Sequence, residues 1–149
     1  MMHHFYKLAV LFCLLFSTLT NSAHAENSET LTTSSGIAYM TGGVGHEEVI
    51  AMRQHAKKFS LNLLFSEGLA GQAVTDVNVN VYDENSTLVF RLIGAKPLLY
   101  VNLPTGTYTI LANHQGTKLR HKLSITEGKP SKVILNWKNE ELDARETSE

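Results

Sequence analysis

The sequence predicts an all-β fold: a seven-stranded, antiparallel sandwich of two sheets, preceded by one short helix. Three observations predict it. From residue 60 onward apolar and polar residues alternate over short segments, most cleanly in Val77-Asn78-Val79-Asn80-Val81. Turn-forming residues separate those segments at short intervals. No part of the chain alternates strands with crossover helices, and no repeat of fixed period is visible.

The first of the 149 residues read as an export signal rather than as part of the domain. A short polar start carrying Lys7 leads into an apolar run over residues 8–19. Ala23-His24-Ala25 then places small residues where a signal peptidase reads them, so the cut is expected between Ala25 and Glu26. About 12 apolar residues fall short of the roughly 20 that a spanning helix needs. Cys13 lies inside the run, which argues against a lipoprotein anchor. The expected mature chain, residues 26–149, has no cysteine and holds 12 basic against 14 acidic residues. Its core must therefore supply stability without disulfides. So even a charge balance gives no argument for nucleic acid or an anionic membrane as partner. With no second apolar run, no membrane span is expected after cleavage, and the location expected is periplasmic or secreted.

Residues 26–35 are rich in Ser, Thr, Asn and Glu and read as a flexible leader. Residues 36–40 form a short apolar piece, read as an edge strand, and Gly42-Gly43-Val44-Gly45 is a permissive turn. A helix is expected over residues 47–58, because Val49, Met52, Ala56 and Phe59 form one stripe. Glu47 and Glu48 in its first turn and Lys57 and Lys58 in its last suit the helix dipole. The stripe should pack on the domain at residues 60–137.

The seven strands follow in order. Leu61, Leu63 and Phe65 share the first inward face, and residues 68–71 form a loop. Val77, Val79 and Val81 mark the second strand, and Asp83-Glu84-Asn85-Ser86 turns the chain into a third over residues 88–93. Leu99, Val101 and Leu103 mark the fourth, which leaves Tyr100 out of register and exposed. Tyr108, Ile110 and Ala112 line the fifth; a two-residue turn at Gln115-Gly116 sets Ile110 opposite His121 on the sixth. Val133, Leu135 and Trp137 finish the set, before a charged tail at residues 138–149.

Leu103-Pro104-Thr105-Gly106-Thr107-Tyr108-Thr109-Ile110 matches the pattern Leu-Pro-x-Gly-x-Tyr-x-Ile. Here the chain resembles the carboxypeptidase regulatory-like domains, which belong with the transthyretin-like sandwiches. The segment from Asp76 to Asn85 also looks like that family's early strand and turn. The resemblance implies a Greek-key arrangement, with Pro104, Gly106 and Tyr108 as its fold signature. Pro104 fixes a backbone angle, Gly106 is free to adopt a positive one, and Tyr108 can bury its ring while its hydroxyl finds a backbone partner. Residues 36–48, with Gly42-Gly43-Val44-Gly45, are similar to the head of small exported bacterial proteins of that type. That similarity implies a periplasmic, non-enzymatic protein. Neither zinc-ligand spacing nor room for a peptidase domain is present.

Chemical motifs fail their own requirements. The glycine turn lacks the lysine of a phosphate loop and has Glu48 where a dinucleotide turn needs glycine. His46-Glu47-Glu48 is not a zincin motif, since Ile50 holds the second histidine's place. His46 and His55 are about 13 Å apart along a helix, and His114 and His121 are separated along their strands. His121 reads as a partly buried histidine among Leu119, Leu123 and Ile125. Hydroxyisourate hydrolases, enzymes of the transthyretin-like class, end in Tyr-Arg-Gly-Ser, and this chain ends in Asp143-Ala144-Arg145-Glu146-Thr147-Ser148-Glu149. No cofactor, metal or catalytic set is expected. The function expected is recognition of a cell-envelope protein through surface and sheet edge. Gly42, Gly43, Gly45, Glu48 and Arg53 are the candidate contacts. The alternative is a small-ligand or glycan module using exposed aromatics, with Tyr82 and Tyr100 the candidates.

Overall fold

A computed structural model of the chain describes residues 30–33 and 35–138. The expected signal segment, residues 26–29 and 34 of the leader, and the tail beyond Lys138 lie outside the described residues.

Ten strands and one α-helix are present among the described residues: β1 Leu31–Thr32, β2 Ala38–Gly42, α1 His46–His55, β3 Leu61–Glu67, β4 Gln72–Ala73, β5 Val77–Tyr82, β6 Leu88–Ala95, β7 Leu98–Val101, β8 Gly106–His114, β9 Thr117–Ile125 and β10 Ser131–Trp137. The seven segments read from alternation correspond to β3 and β5 to β10. The edge piece is β2. Two-residue β1, inside the expected leader, pairs with β2, and β4 pairs with the end of β3.

One sheet has the order β1-β2-β7-β3-β10, with β4 beside β3; the other has the order β6-β5-β8-β9. The expectation of an antiparallel sandwich needs one correction. β3 and β10 run parallel, from Ser131 opposite Leu61 to Trp137 opposite Glu67. They are the first and last of the seven, and no tight turn joins them, so alternation alone left their direction open. Across the β8–β9 hairpin the register is as expected, with Ile110 opposite His121. Gln115 and Gly116 both have positive φ, 49° and 86°, as a two-residue hairpin turn matched to strand twist requires.

The inner faces of both sheets meet in one core. Leu61, Leu63, Phe65, Leu99, Val101, Leu135 and Trp137 from the first sheet pack with Val77, Val79, Val81, Phe90, Ile110 and Ala112 from the second. Trp137 also donates a 3.0 Å hydrogen bond from Nε1 to the Thr117 carbonyl oxygen, tying β10 to the start of β9. Among the described residues no helix is long and apolar enough to cross a membrane.

A second apolar cluster lies on the outer face of the first sheet. Met40, Leu98 and Tyr100 project there and meet Met52 and Phe59 from the helical segment, with Val49, Ala56 and Leu64 packed around them. The stripe expected on the helix is thus the one that docks. α1 stops at His55, and residues Ala56–Lys58 tighten into a 3-10 turn.

The fold-signature turn behaves as expected at Tyr108 and differs at Gly106. Tyr108 is buried, and its hydroxyl donates a 2.9 Å bond to the Pro104 carbonyl oxygen. Gly106 has φ 159°, close to extended, so the turn does not depend on left-handed backbone there.

Candidate binding cleft

The turn before α1 lets helix and sheet approach closely. Gly42 and Gly43 are buried, while Gly45 is exposed. A Cβ on Gly42 would lie 2.8 Å from Glu48 Oε1 and 3.1 Å from Met52 Cγ. One on Gly43, where φ is already 94°, would lie 2.9 Å from Leu98 Cγ. These two candidate contacts are therefore packing positions. Gly45 has open space around it.

Glu48 was expected as an outward contact and instead turns back on the turn. Its Oε2 accepts a 2.7 Å hydrogen bond from the Val44 backbone N–H, and its Oε1 lies 3.4 Å from Lys96 Nζ. An acidic side chain in the first helical turn satisfies an otherwise orphaned donor and favours the positive end of the dipole. Arg53 is exposed, as expected.

Beside α1 the sheet's outer face is only partly covered, and this leaves a cleft of about 360 Å³. Val49 and Ala56 form its helical wall; Leu64 on β3 and Leu98 and Tyr100 on β7 form its floor. Arg53 and Lys132 stand at its rim, and none of its lining residues is acidic. Asn62 fastens the wall to the floor: its Nδ2 donates to the Ala56 carbonyl oxygen at 3.0 Å, while its Oδ1 is buried without a partner. Burial pushes the Tyr100 phenol above its ordinary pKa, and the positive charge of Arg53 draws it partway back. A larger but more open depression, about 420 Å³, lies at one end of the molecule between loops 102–105 and 126–130. Its apolar residues, such as Phe59, Leu103 and Ile125, are mixed with Lys57, Lys58, Glu127 and Lys129, so it is less apolar than binding clefts usually are.

Tyr100 corrects an expectation. It is 4% exposed and stacks at a tilt on Phe59, 6.0 Å between centroids. Phe90 and Trp137 are buried in the main core, and Tyr82 is half-buried. The described aromatics therefore form no exposed platform. Leu98-Leu99-Tyr100-Val101 is buried along its whole length. An unbroken apolar run is what a strand covered on both faces shows, and that was the signal in the sequence that Tyr100 faced the helix.

Among the described residues, no three His, Cys, Asp or Glu side chains gather as a metal site would require. His46 and His55 sit at opposite ends of α1. His121 is half-buried, as expected, while His114 packs on Trp137 with centroids 5.5 Å apart and leaves its Nδ1 unpaired. The cleft has an apolar floor, two cations and a phenol. It can seat an apolar group joined to an anion. It lacks a nucleophile with a neighbouring base. Asn62 and Lys132 line this site and were not singled out from sequence; Lys132 reaches it only because β10 pairs with β3, which sets Lys132 opposite Asn62. Away from the cleft, Ser60 Oγ ties the chain before β3 to Leu103: it accepts from the Leu103 N–H at 2.7 Å and donates to the Leu103 carbonyl oxygen at 2.8 Å.

No known family model matches the chain, and no curated protein matches it either.

Proposed function

We propose that this is an exported, non-enzymatic interaction module of the carboxypeptidase regulatory-like type, acting in the cell envelope on a protein partner. It seats an apolar side chain of that partner, flanked by Asp or Glu, in the cleft between α1 and the six-stranded sheet. The observation that carries the proposal is the cleft over Leu64, Leu98 and Tyr100 that α1 leaves only partly closed, with Arg53 and Lys132 at its rim. An apolar anchor in a pocket, framed by complementary charge, is the usual core of a recognition surface.

The family reading rests on the Leu103 to Ile110 motif, with the Tyr108 ring buried and its hydroxyl on Pro104. The Greek-key reading is supported by the chain leaving β6 for β7 in the opposite sheet and returning as β8 beside β5. Export rests on the apolar run and Ala23-His24-Ala25. The edge of the recognition surface extends to exposed Val44 and Ile50. A photo-crosslinking residue at Lys132 should capture one defined envelope protein in cells, and the same residue at Gly128 should not. Equal capture from both positions, or none from Lys132, would overturn the assignment of the cleft.

A further inference from the structure

A formal net charge of −1 conceals a separation of charge between the sheets. β5, β6, β8 and β9 contain no Asp or Glu, yet they carry Arg91, Lys118, Arg120 and Lys122. All four cations are exposed, and they alternate with core-facing neighbours such as Phe90 and Leu119, so they lie on the sheet's outer face. Register aligns them in rows: Arg91-Asn80-Leu111-Arg120, then Asn78-Asn113-Lys118, then Tyr82-Thr109-Lys122. The ion pair found among the described residues, Lys96 with Glu48, involves none of them.

The geometry is that of a track. The two outer strands, β6 and β9, are about 14 Å apart, and cations recur about every 7 Å along β9. Between them runs a neutral strip, the amides and hydroxyls of Asn78, Asn80, Asn113, Thr109 and Tyr82 with Leu111 among them. A depression of about 260 Å³ opens in that strip, lined by Tyr82, Thr109, Leu111 and Arg120. Asp83 also borders it, but its Oδ1 is engaged by the Asn85 and Thr87 backbone N–H groups at 2.9 and 2.8 Å.

We propose that this face binds an acidic polysaccharide along the strand direction. The chain's carboxylates meet Arg91, Lys118, Arg120 and Lys122, its hydroxyls meet the amides and hydroxyls of the strip, and one sugar ring rests against Tyr82. Charge complementarity with four cations that make no ion pair among the described residues, on strands that hold no acid, selects a polyanion. Single-stranded nucleic acid would need successive aromatic side chains on which bases stack, and the track offers Tyr82 alone. An anionic bilayer would need apolar side chains able to insert; exposed Leu88 and Ile93 lie on the edge strand β6, whereas the strip between the cations is mostly amides and hydroxyls, and the vesicles in the test separate the two. The proposal does not depend on the cleft, which lies on the other sheet.

The test titrates the purified protein with polygalacturonate, neutral dextran, a single-stranded oligonucleotide and anionic phospholipid vesicles. Polygalacturonate should bind and dextran should not. Binding should weaken at least tenfold between about 0.05 and about 0.5 M salt. The double variant Arg120→Gln/Lys122→Gln should lose at least tenfold in affinity with an unchanged Tm. Tyr82→Ala should lose less, and in that variant the salt dependence should persist. Polygalacturonate binding no tighter than dextran, affinity unmoved by the double variant, or tighter binding to the oligonucleotide or vesicles would each overturn the proposal.

Discussion

The Tyr108 hydroxyl reaches back four residues to the Pro104 carbonyl oxygen at 2.9 Å, while its ring lies within the core shared by the two sheets. One side chain thus fixes the entry of β8 and fills space between the layers. Tyr108→Phe removes the hydroxyl alone and should cost about 0.5–1.5 kcal/mol. Tyr108→Ala should cost about 3–5 kcal/mol, because it also leaves a cavity. Urea unfolding of both variants checks the ordering; equal losses would mean that the ring contributes nothing beyond its hydroxyl.

Gly43 and Gly45 separate two costs that a glycine can avoid. Both have positive φ, 94° and 91°, but only at Gly43 would an added Cβ meet a side chain, Leu98. Gly45→Ala should cost about 1–3 kcal/mol from backbone alone, since φ 91° with ψ 161° is a conformation essentially reserved for glycine. Gly43→Ala should cost more than that, by about 1–3 kcal/mol of overpacking. Thermal melts of the two variants test the difference.

Glu48 and Lys96 are unequal partners. Their ion pair is partly solvated, with the lysine side chain 40% exposed, and is worth about 0–1 kcal/mol. Lys96→Ala should therefore change stability little. Glu48→Ala also removes the acceptor for the Val44 N–H and should cost about 1–2 kcal/mol. Chemical denaturation of the two single variants gives the comparison directly.

Tyr100 and Tyr108 both titrate above the ordinary phenol value, in each case chiefly through burial; Asp83 and Glu84 raise Tyr108 further. The unfolded chain loses these protons first, so it binds fewer protons in the alkaline window. Stability is then complete below about pH 10 and falls as pH rises through the folded-state values. Tyr100→Phe should flatten that alkaline loss, and Arg53→Gln should move the Tyr100 titration upward. Tyrosinate absorbance followed against pH reads both; a downward shift in Arg53→Gln would contradict the placement of the guanidinium beside the phenol.

The sequence made the strands legible where one face is wet. β5 and β9 alternate because water covers their outer residues, and Gln115-Gly116 pinned the β8–β9 register because a two-residue turn leaves no freedom. Legibility failed where tertiary contact overrides the local pattern. Tyr100 looked exposed because alternation was assumed for β7, a strand that α1 covers from outside. The parallel pairing of β3 with β10 joins segments some seventy residues apart, Leu61 with Ser131, and no local signal encodes it. The cleft was half visible. Arg53 and the helix stripe could be read, but Leu64 joins them only through the pairing of β3 with β7, and Lys132 only through the parallel pairing of β10 with β3. Glu48 and Gly42, read from sequence as candidate contacts, are also where the helix is fastened to the turn.

Filling the cleft tests its role in recognition most directly. Ala56→Trp would place a bulky side chain between the helical wall and the floor of Leu64 and Tyr100. With a photo-crosslinking residue at Lys132 and a Tm within a few degrees of the parent, the partner captured by the parent should be lost. The same partner, captured at the same yield with the cleft filled, would contradict recognition there.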